Sequence, residues 1–254
     1  MTRKTMDYYG KIFLSNDTGY YQIVLANNLD RMKAIFLTTN TEVWVSADQV
    51  DCGSVCDRYF PTVYGVGYLG DHPTVNEDGT TTKEYVTWRG MLERCYGNKE
   101  IAAYKYCIVS EEFHNASYFK DWYNDQIGSH KDEFQLDKDI LSNDCKIYAE
   151  DTCALVPRDI NLFFANIGSR KRKTIDCFDY VTGVSWCKIR QKYRARCNSG
   201  EDRVESYHDN EWSAFIAYKQ AKENRAKELA EKWRGQIDDR VYEKLINYKV
   251  LLTD

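Results

Sequence analysis

Three apolar runs near the start of the chain alternate with a period of two: "GYYQIVL" (Gly19–Leu25), "MKAIFLTT" (Met32–Thr39) and "TEVWVSA" (Thr41–Ala47). Successive strand residues point to opposite faces, so this period suits strands with one covered face and one open face, and no helix of ~3.6 residues per turn can use it. The separators "ANNLDR" and "TNTE" carry Asn and Asp, which tolerate turn backbone and bond it with their own side chains. The segment is expected to form a small antiparallel sheet or barrel. "YFPTVYGVGYLGDHPTVNEDGTTTK" follows, with Gly65, Gly67, Gly70, Gly79 and two of the three prolines, and reads as a connector.

The period then changes. In "KEYVTWRGMLERCYGN", Tyr85, Trp88, Met91, Leu92 and Cys95 recur at helical steps before a Gly97-Asn98 stop, and in "NASYFKDWYNDQIGS" so do Tyr118, Phe119, Trp122, Tyr123 and Ile127. Both stripes read as core, with "YKYCIVSEEF" a short extended segment between them. Further on, "GVSWCKIR", "KYRARC" and "RVESYH" read as strands, the last two separated by the turn "NSGED". A long helix follows from about Asn210 to Trp233, with Trp212, Phe215, Ile216, Lys219 and Ala226 at periodic positions, and then a short helix near Arg240 to Tyr248. The fold class is therefore expected to be α+β.

No apolar run approaches the ~20 residues of a membrane helix, and "MTRKTMDYYGKIFLSND" lacks a signal-peptide pattern, so a cytoplasmic protein with no membrane partner is expected. The nine cysteines are scattered, which suits a reducing compartment. Cys52 and Cys56 are spaced too widely for the usual zinc knuckle, and Cys145 and Cys153 with Cys107 or His130 fit no justified spacing, so zinc is not expected. The net charge of −4 conceals an asymmetry. Residues 1–150 hold 15 Lys and Arg against 23 Asp and Glu, whereas residues 151–254 hold 20 against 16. From Gly168 to Cys197 nine basic residues meet two acidic ones, a patch that attracts phosphates.

"VTWRGMLERCY", "LDKDIL", "IYAEDTCALVPRDINLFF" and "GVSWCKIRQKYRARC" leading into "SAFIAYKQAKENRAKELAEKW" together resemble phage-encoded HNH (His-Me finger) homing endonucleases with an appended AP2-type DNA-binding domain. The resemblance covers residues 85–254. It implies a central ββα-metal core with preceding helices (residues 71–167) and an AP2-like three-stranded sheet with C-terminal helices (residues 168–254), after the N-terminal β module (residues 1–70) that the strand alternation predicts. In such a core a strand ribbon packed on a helix holds one divalent cation, Mg²⁺ or Mn²⁺, on the scissile phosphate, and a histidine activates water.

Matched to that pattern, Asp137 and Asn161 stand as metal ligands, and Thr152 stands where an asparagine would orient the base. Lys138 occupies the place of the base. A lysine beside Asp137 and Asp139 stays protonated at neutral pH, so Lys138 is expected to contact phosphate instead of taking a proton from water. Asp137 and Asp139 are candidates to share a metal from one side of a strand. His130 and His114 are candidates to replace the base, although both sit in polar stretches that suit solvated histidines.

The resemblance further implies that the AP2-like sheet lies in the major groove. Alternation through "GVSWCKIRQKYRARC" is expected to place Trp186, Lys188, Arg190, Arg194 and Arg196 on one face and Cys187, Ile189, Tyr193, Ala195 and Cys197 on the other. Arg170, Lys171, Arg172 and Lys173 would wrap phosphates as an arm. The function expected from all of this is double-stranded DNA binding with metal-dependent cleavage or nicking. The alternatives are a catalytically degenerate DNA-binding regulator, and a phage factor that binds a host or virion protein through its acidic N-terminal half.

Overall fold

The computed structural model describes residues 4–98, 104–142, 145–165, 181–199 and 202–252. The fold mixes helices and several small sheets and is α+β. The chain divides into two compact units, Met1–Tyr123 and Asn124–Asp254. That division coincides with neither expected boundary, after residue 70 or after residue 167.

The first unit begins with an antiparallel meander of β1 (Ile12–Leu14), β2 (Tyr20–Asn28), β3 (Arg31–Phe36) and β4 (Glu42–Val45), each strand beside its sequence neighbour. The period-two pattern fulfils its role here. Tyr21, Ile23, Met32, Ala34, Phe36 and Val45 form one buried face, while Tyr20 and Trp44 lie open on the other. Helix α1 (Ala47–Asp51) closes this core with Ala47 and Val50, and begins at a capping box in which Ser46 and Gln49 satisfy each other's backbone N–H groups.

The connector has a packing function. Gly67 lies so close to α2 (Lys83–Tyr96) that a Cβ there would come within 2.4 Å of Leu92 and 2.8 Å of Trp88. Helix α2 starts at Thr82, stops at Gly97 and buries Trp88, Met91 and Leu92 of its expected stripe. The Trp88 indole donates to the Phe113 carbonyl at 2.7 Å. Beyond the two-residue β5 (Ile108–Val109), α3 (Ala116–Asp125) buries Phe119, Trp122 and Tyr123, and the first two pack on the Phe113 ring at centroid distances of 5.1 and 4.9 Å. Tyr118 and Ile127, expected in that stripe, are exposed.

The second unit holds β6 (Phe134–Asp137), β7 (Ile147–Tyr148), β8 (Ala154–Pro157) and α4 (Arg158–Ala165). It continues with β9 (Val184–Cys187), β10 (Lys192–Ser199), β11 (Asp202–His208), α5 (Glu211–Lys232) and α6 (Asp239–Ile246). Strands β6 and β8 pair antiparallel, and β9–β11 form a three-stranded antiparallel sheet in the order β11-β10-β9. Helix α5, capped by Asn210 accepting the Ser213 N–H at 2.8 Å, covers one face of that sheet through Ala214 and Phe215 against Val184 and Ala195. Among the described residues no helix is long and apolar enough to cross a membrane.

Candidate nucleic-acid interface and metal-binding residues

The β6–β8 ribbon runs in the register Phe134–Pro157, Gln135–Val156, Leu136–Leu155 and Asp137–Ala154. Pro157 leads straight into Arg158, so α4 folds back onto both strands, with Ile160 and Phe163 buried beneath it. Helix α5 holds α4 at both ends. Asp159, in the first turn, accepts from Lys232 Nζ at 2.6 Å and Trp233 Nε1 at 3.0 Å. At the other end the buried Lys222 donates to the Phe163 carbonyl at 3.1 Å. An anion at a helix N-terminus and a cation at its C-terminus both match the helix dipole. Strands β6 and β8 and helix α4 thus pack as one unit.

Asp137 closes β6. Its Oδ1 accepts the backbone N–H groups of Asp139 at 2.8 Å and Ile140 at 2.9 Å, which fixes the turn that follows. Burial pushes its carboxyl pKa above the ordinary aspartate value, even though those two bonds favour the charged form. Asn161 donates its amide to Gln135 Oε1 at 2.9 Å. Gln135 and Asp137 share a strand face, roughly 6.7 Å apart along the strand. Asn161 is therefore on the Asp137 side of the ribbon but is held one strand repeat away.

Lys138 is 5 % exposed, with its ammonium paired to Asp139 Oδ1 and 5.7 Å from the centre of the Tyr148 ring. Its ammonium is enclosed by these protein groups, not set out in solvent. Asp139 falls beyond the end of β6 and turns to Lys138, so it does not extend the strand alongside Asp137. Thr152 is buried in the turn before β8, where its Oγ1 accepts the Ala149 N–H at 3.0 Å and donates to the Ile147 carbonyl at 2.8 Å. It holds a turn and no histidine. His114, expected to be solvated, packs edge-on to Tyr96 with Nε2 buried and without a hydrogen-bond partner among the described residues. His130 lies in the turn between α3 and β6 and is exposed, as a solvated histidine would be.

Hard divalent cations take oxygen ligands and keep several waters, so one or two protein oxygens beside a phosphate suffice. Asp137 Oδ2 and the Asn161 carbonyl oxygen suit that chemistry, provided Asn161 turns away from Gln135. Among the described residues no group of three or more His, Cys, Asp and Glu side chains could hold a metal ion.

Residues directly opposite on neighbouring strands share a face, so the register of the C-terminal sheet sorts its side chains. Trp186 stands opposite Tyr193, and Val184 opposite Ala195, on the face that α5 covers. Ser185 stands opposite Arg194, Cys187 opposite Lys192, Arg194 opposite Tyr207, and Arg196 opposite Glu205 on the outer face. This corrects two expectations. Trp186 is on the covered face, its ring edge-on to Tyr193 at 4.9 Å, and Cys187 is on the cationic face. The reason is that β9 ends at Cys187. Lys188, Ile189 and Arg190 belong to the connecting turn, so strand alternation does not carry through them, and Ile189 is not on an apolar face.

The outer face carries Lys192, Arg194 and Arg196. Lys192 pairs with Asp209 at 3.0 Å, and Arg194 Nε donates to Ser185 Oγ at 3.2 Å. Arg190 reaches over the face to lie 4.3 Å from the centre of the Tyr207 ring, and the Tyr207 hydroxyl donates to Glu205. Lys192, Ser185 and Tyr207 were not among the residues singled out from sequence. Their positions follow from a cross-strand register that no single segment displays. Arg170, Lys171, Arg172 and Lys173 lie outside the described residues. No family model matches the chain, and neither a curated protein nor a solved structure matches it.

Proposed function

We propose that this chain binds double-stranded DNA through the outer face of β9–β11 and engages Mg²⁺ or Mn²⁺ at Asp137 for phosphodiester cleavage. The observation that carries the reading is the row Lys192, Arg194 and Arg196, set at alternate positions of one central strand on the face opposite the one that α5 covers. A strand places such side chains about 6.7 Å apart, and a β-ribbon fits the major groove. Supporting it, a second strand–helix unit of HNH-like order is held by the same α5. When bound, the cation supplies an acidified water and stabilises charge on the leaving oxygen. Asp137 would hold it, Asn161 would join on leaving Gln135, and Lys138 with Asp139 would keep the turn beyond Asp137 in place. The reading puts the protein in the cytoplasm, where the eight described cysteines, all free, would stay reduced.

A second reading is a DNA-binding regulator that no longer cuts. The burial of Lys138 in the place of the base and the Asn161–Gln135 bond favour it. One experiment separates the two. Supercoiled DNA is incubated with the protein and Mg²⁺, Mn²⁺ or chelator, beside Asp137→Asn, which keeps the Oδ1 acceptor for the turn and loses the charge. Metal-dependent nicking lost in the variant supports the enzyme, and retention of duplex without nicking supports the regulator. Failure to retain any duplex at low salt, where phosphate-driven binding is strongest, rejects both.

A further inference from the structure

The turn Lys188–Gln191 joins β9 to β10 where Lys192 stands opposite Cys187. Hairpin tips favour Gly, Asn and Asp because tight turns need left-handed backbone. Here Gln191 supplies it, with φ 51°, and its Nε2 donates to the Lys188 carbonyl at 2.8 Å, closing the turn on itself. Arg190 is fixed separately by the Tyr207 ring beneath it. Between these two anchors Ile189 is 95 % exposed. It adds no buried area to the fold, so its apolar character is not explained by packing. Single exposed apolar residues are common on protein surfaces, and what distinguishes Ile189 is its place at the tip of a tied hairpin between Lys188 and Arg190.

We propose that Ile189 reads the C5-methyl group of a pyrimidine in the major groove of the bound duplex. The inference rests on the DNA-binding reading above. Base edges in the major groove present donors, acceptors and one apolar feature, the thymine methyl, and an aliphatic side chain has no other partner there. Lys188 and Arg190 flank Ile189, and the cations continue along β10 as Lys192, Arg194 and Arg196. The hairpin therefore carries phosphate-seeking groups on both sides of the apolar tip. A turn tied at both ends delivers that tip without the ordering cost of a mobile loop. The continuation of the cations across the sheet, beyond the tip itself, favours a long polyanionic duplex over a bilayer surface, which would meet only the tip.

The test uses the full chain. A preferred duplex is selected from a random-sequence library, each thymine is replaced in turn by deoxyuridine, and affinity is read by fluorescence anisotropy for the wild type and for Ile189→Ala. The expected result is one position at which loss of the methyl weakens the wild type about fourfold, the value of one buried methyl, and leaves Ile189→Ala unchanged. The salt dependence of the two proteins should be the same, because Ile189 contacts no phosphate. Wild-type indifference to every deoxyuridine, or discrimination that persists in Ile189→Ala, overturns the inference. So does duplex binding without sequence preference, which leaves the DNA-binding reading intact. No duplex binding at low salt removes both. Binding of phosphatidylserine vesicles that is lost in Ile189→Ala would reassign the hairpin to a membrane surface.

Discussion

The carboxamide of Asn161 is held at 2.9 Å by Gln135, one strand repeat before Asp137 on the same face of the ribbon. The bond uses the amide nitrogen of Asn161, and in the proposed site the side chain would have to leave Gln135 for its carbonyl oxygen to reach a cation at Asp137. Gln135→Ala should therefore strengthen Mn²⁺ binding by about fivefold, the equivalent of one ordinary hydrogen bond, as measured by calorimetry or Mn²⁺ paramagnetic resonance. Asp137→Asn should abolish Mn²⁺ binding with Gln135 intact or replaced. An unchanged Mn²⁺ affinity in Gln135→Ala would show that Asn161 takes no part.

Lys138 is turned into the protein, against Asp139 and Tyr148. A histidine at this position would be buried against the same ring, where an imidazole is not free to take a proton from solvent water. Lys138→His should not restore or raise nicking of supercoiled DNA in Mg²⁺ at pH 7 to 8. Lys138→Met, which replaces a buried ion by an apolar chain of similar length, should change stability by less than about 1.5 kcal/mol in urea denaturation. A large gain of cleavage in Lys138→His would place the side chain on the catalytic side after all.

Opposite faces of the C-terminal sheet should respond differently. Replacing Arg194 and Arg196 together by Ala should lower the slope of log affinity against log salt by about 2, since each phosphate contact contributes about 0.9. Trp186→Ala, on the covered face against Tyr193, should cost about 1 to 3 kcal/mol of stability and leave that slope unchanged. A reversed outcome, with Trp186→Ala reducing DNA binding in a protein of normal stability, would contradict the register.

Glu223 ties the C-terminal segment to α5. It accepts from Lys219 at 2.7 Å and from the Val250 N–H at 3.1 Å. Partial burial alone would raise its pKa, but these bonds and the nearby Lys249 outweigh it and hold the carboxyl below the ordinary glutamate value. A group with a lowered folded pKa stabilises the fold above its unfolded pKa and loses that contribution as pH falls through the folded one. Glu223→Gln should therefore cost about 1 to 2 kcal/mol at pH 7, and the gap from wild type should close in acid, below the ordinary glutamate pKa. A gap independent of pH in paired denaturation curves would trace the loss to packing.

Elements whose pattern is local were legible. The alternation from Gly19 to Ala47, the Trp88, Met91 and Leu92 stripe, and the long helix from Asn210 all appear where the residues placed them, because periodicity and caps act within a few residues. What escaped was set by partners distant in sequence. The face of Trp186 depends on where β9 stops and on its pairing with Tyr193. The orientation of Lys138 depends on Tyr148, and the engagement of Asn161 depends on Gln135, 26 residues before it. Candidate ligands can be named from one segment, but their convergence depends on register.

Helix α5 has one further consequence. Phe215 sits under the three-stranded sheet, and Trp233, at the far end, packs edge-on against Phe134 of the ribbon with centroids 5.7 Å apart. At 1.5 Å per residue the span between them is about 27 Å, close to eight base pairs of DNA at 3.4 Å each. A continuous helix of 22 residues fixes that separation. On a duplex read by the sheet, any strand break made at Asp137 would fall at a constant offset from the recognised bases, whatever the intervening sequence.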